Sequence, residues 1–210
     1  MLATYLTIKE DGQAETEIKK SRFICSLKRV QTEEEAKEFI QAIKKEHWKA
    51  NHNCSAFLLG EKNEIQRSSD DGEPSGTAGI PMLEVLKKNN LINVAAVVTR
   101  YFGGTKLGAG GLIRAYSHAV SNGLEKIGIV QGKLQQEVLV TIPYPLVGKL
   151  QHFLETQKIS VKDTIFATDV TMTCMIDEEQ QTLFIQQVND LLNGKGQFDK
   201  GAVSYVEEPI

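Results

Sequence analysis

The 210-residue sequence contains no apolar run approaching the ~20 residues that a membrane-spanning helix needs, so no membrane partner is expected. Its first residues, MLATYLTIKEDG, lack the basic start and long apolar core of a secretory signal, and a cytoplasmic location is the expectation. Cysteine is scarce. Cys25, Cys54 and Cys174 are odd in number, widely separated and never in CxxC spacing, which excludes a disulfide framework and a closed zinc site and predicts reduced, buried thiols. A net charge of -3 gives no global attraction to nucleic acid, so any polyanion must be met by a local patch. One absence marks where that patch lies: no Asp or Glu occurs from Arg100 through Leu124, while Arg100, Lys106, Arg114 and His118 do.

Hydrophobic residues make up 41% and charged residues 24% of the chain, close to globular averages, and the length suits two small domains. The runs TYLTIKE, AETEIKK and RFICSLKRV alternate as strands, and Asp11-Gly12 predicts a hairpin between the first two. Thr32 with Glu35 forms a capping box, followed by Ala36, Phe39, Ile40 and Ile43 at helical spacing. CSAFLLG reads as a buried strand, Arg67 to Thr77 as one long polar loop, and Pro81 as part of the first turn of a short helix. NVAAVVTRYF is a β-branched central strand that ends near Arg100, and Leu112, Tyr116, Ala119, Val120, Leu124 and Ile127 keep one apolar helix face. From Leu134 the pattern resets to strand, helix, two strands, helix and strand, with Asp177 and Gln180 as a second capping box. The order βαββαβ predicts a ferredoxin-like second domain over 134–210 after a first domain over 1–133.

Five glycines, Gly103, Gly104, Gly108, Gly110 and Gly111, fall within nine residues at a helix N-terminus, where bare backbone N–H groups and the helix dipole favour an anion. Arg67, Arg100, Lys106 and Arg114 are the candidate cations, with His118 one turn beyond Arg114. The spacing does not match a nucleotide P-loop, because Lys106 precedes Gly108 and is followed by Leu107. The alternative is that the glycines only allow close packing and the arginines pair with Asp70, Asp71 or Glu73. Those three acids could hold a hard cation such as Mg²⁺, or could cap and brace a turn rich in Asp, Gly and Pro. His52 and Cys54 share a strand face and form either a thiol–imidazole pair or a packed thiol beside a ring. Tyr101, Phe102 and Tyr116 flank the patch and either stack bases or belong to the core.

KSRF at 20–23, HNC at 52–54, DDGEPSGTAGIP at 70–81 and RYFGGTKLGAGGLIRAY at 100–116 together resemble the YigZ/IMPACT family. The resemblance implies an α+β fold, with an N-terminal domain of the ribosomal-protein-S5 domain 2-like type. The βαββαβ half is similar to the extra domain of bacterial members and to the last domain of translocating elongation factors. Eukaryotic members are associated with translational control, by competing for a ribosome-associated activator of a starvation kinase. The sequence lacks their N-terminal RWD domain, so that role is not carried over. The resemblance implies no catalytic residue, and no cofactor is expected. The expected function is translation-associated binding of RNA or a ribosomal component through the basic glycine-rich surface. The alternatives are a Mg²⁺-dependent enzyme acting on a phosphorylated small molecule or nucleotide, and an adaptor for a protein partner.

Overall fold

The computed structural model describes residues 2–210. The chain divides into two units, one running up to Gly132 and including Glu207–Ile210, the other Lys133–Val206. In the first unit the elements are β1 (Thr4–Ile8), β2 (Gly12–Ile18), β3 (Ser21–Arg29), α1 (Glu33–Glu46), β4 (His52–Leu59), β5 (Ile65–Ser69), α2 (Gly79–Lys88), β6 (Val94–Tyr101) and α3 (Gly108–Ile127). The order β2-β3-β6-β4-β5 forms one sheet, antiparallel at every pairing. Both faces of β6 are covered, which is why its β-branched run is buried throughout: Val94, Ala96 and Val98 meet α2 and α3, whereas Ala95 meets α1. Thr32 caps α1 by accepting from the Glu35 N–H at 3.1 Å, and the helix has three acids in its first turn and two lysines in its last, as its dipole favours.

The hairpin falls elsewhere than expected. β2 pairs with β3 through a two-residue turn at Lys19 and Lys20, both left-handed at φ 47° and 66°, while β1 pairs with β7 (Ile129–Ile142), whose first four residues belong to this unit. Asp11-Gly12 therefore joins strands of different sheets, and the Asp11 carboxylate accepts from the Arg29 N–H at 2.8 Å. The long loop is shorter than predicted as well. Its first residues form β5, an exposed edge strand whose polar side chains carry no apolar alternation.

In the second unit β7 is followed by α4 (Val147–Thr156), β8 (Val161–Phe166), β9 (Val170–Asp177), α5 (Gln181–Leu191) and β10 (Gln197–Pro209). The sheet order is β10-β7-β9-β8, so the first strand lies between the last and the third, the arrangement of the ferredoxin-like split βαβ. Val138, Val140 and Ile142 of β7 and Met172 and Cys174 of β9 pack against Leu150 and Leu154 of α4 and Phe184 and Val188 of α5. Asp177 makes no side-chain cap; its carboxylate accepts from Gln135 at 2.8 Å instead. The four last residues, expected in this domain, cluster with the first unit, where Glu207 binds the Arg29 guanidinium at 2.8 Å and accepts from Tyr5 at 2.8 Å. Among the described residues, no helix is long and apolar enough to cross a membrane.

Candidate functional site

Strand register brings Arg100 of β6 opposite Phe23 of β3 and His52 of β4, at the end of the sheet facing α3. Arg100 is buried. Its Nη1 donates to Glu73 Oε1 at 2.6 Å, its Nη2 reaches Ser21 Oγ at 3.4 Å, and its guanidinium carbon lies 5.5 Å from the ring centroids of both Phe23 and Phe102. The Tyr116 hydroxyl donates to the same Glu73 oxygen at 2.8 Å, and burial, with Cys54 and Glu73 nearby, pushes that phenol above its usual range. His52 Nε2 is 3.7 Å from Glu73 Oε2, and its Nδ1 lies 2.9 Å from the Asp71 carbonyl oxygen. Cys54 donates to the Asp70 carbonyl at 3.0 Å, and burial pushes its thiol up to about 12, which disfavours the thiolate near neutral pH.

The acids of the loop are each engaged by internal donors. Asp70 accepts from the N–H groups of Gly76, Ala78 and Gly79 at 2.8, 3.1 and 2.9 Å, and so caps α2 from outside the helix. Asp71, left-handed at φ 45°, accepts from Lys44 at 2.6 Å and from the Asn53 N–H at 2.7 Å. Burial raises both carboxyls, but the accepted hydrogen bonds outweigh it and hold both below the usual carboxylate range. Among the described residues, no group of three or more His, Cys, Asp or Glu side chains is placed to hold a metal ion. The loop's carboxylates brace its backbone and the buried arginine.

The glycine-rich segment lies against the Lys19-Lys20 turn. A Cβ at Gly103 would sit 1.9 Å from the Lys20 carbonyl oxygen, and the Gly103 N–H donates to Ser21 Oγ at 3.2 Å. Gly104 and Gly108 are left-handed, at φ 86° and 70°, and α3 starts at Gly108 with no side-chain cap and no acid in its first turn. Lys106, Arg114 and His118 are exposed, and the Arg114 guanidinium folds back along α3 to within 3.6 Å of where a Cβ at Gly110 would lie. Arg114 and His118 share with Lys19 a surface pocket of about 280 Å³, floored by Ile18, Leu107 and Ala115.

Two of the cations chosen from sequence are absent from this surface. Arg100 is committed to Glu73 behind it, and Arg67 sits on β5 opposite Phe57, on the α1 face of the sheet, with Nε 3.7 Å from Glu33. Lys19 takes their place. Sequence reasoning missed it because a lysine pair carries no turn signal, although its position just before the KSRF motif marked the neighbourhood.

Residues 19–124 match the Impact N-terminal domain, and residues 140–195 match a domain of unknown function, DUF1949. The chain is 50% identical over 210 residues to the IMPACT family member YvyE of Bacillus subtilis (strain 168), covering all of this chain and 97% of that protein. The chain belongs to the IMPACT family. An IMPACT family member of Haemophilus influenzae is 34% identical, over 92% of this chain and 95% of its own. Escherichia coli YigZ is 45% identical over 113 residues, 53% of this chain and 55% of its own. A crystal structure described as that of a hypothetical protein superposes with a TM-score of 0.60 at 29% identity, covering 94% of this chain and 97% of that one. The Impact domain of this IMPACT-family chain holds both the buried Arg100–Glu73 network and the basic surface in front of it.

Proposed function

We propose that this IMPACT-family protein is a translation-associated regulator that binds RNA or a ribosomal component through the surface formed by Lys19, Lys106, Arg114 and His118. One observation carries the reading: these exposed side chains gather around an uncapped helix N-terminus, three of them in a segment without acids, in a chain whose overall charge is negative. A local positive field on an acidic protein selects polyanions by position. The link to translation rests on the resemblance of the KSRF, DDGEPSGTAGIP and RYFGGTKLGAGGLIRAY motifs to a family whose eukaryotic members act in translational control. Three buried, unpaired thiols suit the reducing cytoplasm, where we place its action.

The test is salt-dependent binding of labelled single-stranded RNA to the protein and to a Lys19→Ala, Lys106→Ala, Arg114→Ala variant. Neutralising three phosphates of a single strand gives a log-log salt slope on the order of -2. The variant should bind more weakly with a shallower slope and unchanged folding. Equal affinity and slope in a folded variant would remove the surface from the reading. A Mg²⁺-dependent nucleotide turnover abolished by Asp71→Asn would replace it with a catalytic one.

A further inference from the structure

The pocket shared by Lys19, Arg114 and His118 has more cationic character than one backbone phosphate of a nucleic acid requires. Three side chains that can donate to an anion come from two elements, the β2–β3 turn and the second and third turns of α3, and line one space of about 280 Å³. None of the three side chains has a hydrogen-bond or ion-pair partner among the described residues, and no carboxylate lines the pocket. Lys19 and Arg114 are therefore open to an anion that need displace no internal counter-charge. Gly111 also faces the pocket and adds no side chain to fill it.

The rest of the lining is apolar. Ile18, Leu107 and Ala115 form a wall that a phosphate alone cannot use, while a sugar or base edge can lie against it. A backbone phosphodiester carries one charge, whereas a terminal phosphomonoester carries about two near neutral pH and presents three acceptor oxygens. The charge count and the mixed lining both favour the terminal group.

From these observations we infer that the pocket between the Lys19-Lys20 turn and α3 is a binding site for a 5′-phosphorylated nucleoside, supplied either as the 5′ end of an RNA or as a free nucleotide. Lys19 and Arg114 grip the phosphoryl oxygens, a His118 ring N–H donates a further bond, and the nucleoside lies on the Ile18–Leu107–Ala115 wall. The inference rests on the RNA-binding reading for its first source and not for its second.

The experiment measures amide NMR shifts of the intact protein with adenosine 5′-monophosphate and with adenosine. It is paired with fluorescence anisotropy of one single-stranded RNA carrying either a 5′-phosphate or a 5′-hydroxyl. The nucleotide should shift Lys19, Gly111, Arg114 and His118 while adenosine leaves them in place, and the 5′-phosphorylated RNA should bind about tenfold more tightly, as one added charge-assisted contact allows. Arg114→Ala with His118→Ala, both at exposed positions, should remove the shifts and the tenfold preference; Lys88→Ala on α2 should keep them. Equal RNA affinities and no nucleotide shifts would overturn the pocket inference while leaving RNA binding by the wider surface intact. Nucleotide shifts at the pocket without binding of either RNA would support the pocket and overturn the RNA reading. Shifts or a 5′-phosphate preference that persist in the double variant would overturn the assignment to these residues.

Discussion

Arg100 and Glu73 meet at 2.6 Å with side chains only 6% and 4% exposed, so the protein holds an ion pair in its interior just behind its basic surface. Such a pair is costly to break from one side, because the remaining charge stays buried without its partner. Glu73→Gln should destabilise the first unit by about 3–5 kcal/mol, and Arg100→Met on top of it should recover part of that loss. Urea denaturation of the single and double variants checks both. A Glu73→Gln protein with wild-type stability would mean that the pair is not the anchor of the loop.

Asp70 and Asp71 make the same loop sensitive to acid. Burial opposes their ionisation, yet the accepted hydrogen bonds leave both below the usual carboxylate range when folded. A carboxyl depressed by folding stabilises the protein above its unfolded pKa of about 3.9, and that contribution disappears as pH falls through the folded value. Stability should therefore decline as pH drops below about 4, and Asp70→Asn should be less stable at neutral pH with a flatter acid limb. Thermal melts from pH 7 to 2.5 measure this, and parallel acid limbs for the two proteins would assign the acid sensitivity elsewhere.

Much of this arrangement was legible in the sequence, in those segments where local chemistry and tertiary packing agree. The Thr32–Glu35 cap, the buried β6 run, the apolar stripe of α3 and the βαββαβ order are of this kind. The Asp11-Gly12 signal misled because pairing of β1 with the distant β7 overrides a local turn preference, and the actual turn uses two lysines in a left-handed conformation. Arg100 reads in sequence as a surface cation, and the structure buries it against Glu73. Its place at a strand end is visible in sequence, but of the Phe23, Phe102 and Glu73 side chains that enclose it only Phe102 is a neighbour in the chain, and the other two come from distant segments. Lys19 reaches the pocket only because the hairpin folds it against α3.

The three thiols give a direct reading of burial. Desolvation pushes Cys25, Cys54 and Cys174 up to about 12, so none is a thiolate near neutral pH. A thiol reagent at pH 8 should label none of them in the native protein and all three in denaturant. Rapid native labelling of Cys54, mapped by mass spectrometry, would reopen the thiol–imidazole reading of His52 and Cys54.

Gly103 and Gly104 are neighbours with different reasons for being glycine, and alanine substitution should separate them. Gly104 is left-handed at φ 86° with open space where a Cβ would go, so Gly104→Ala carries only backbone strain, about 1–2 kcal/mol. At Gly103 the added Cβ would lie 1.9 Å from the Lys20 carbonyl oxygen and 2.0 Å from its carbon, atoms of a hairpin backbone that cannot swing aside like a side chain. Gly103→Ala must push the glycine-rich loop off the β2–β3 turn and disturb the Gly103 N–H bond to Ser21, for a loss of roughly 3 kcal/mol or more. The same displacement moves Lys19 away from Arg114, so whatever fraction of Gly103→Ala folds should also bind polyanions more weakly, with the affinity of Gly104→Ala close to wild type. Denaturation midpoints and RNA anisotropy on the two variants test both expectations. Equal destabilisation with equal binding would show that the loop and the hairpin turn are not held together at Gly103.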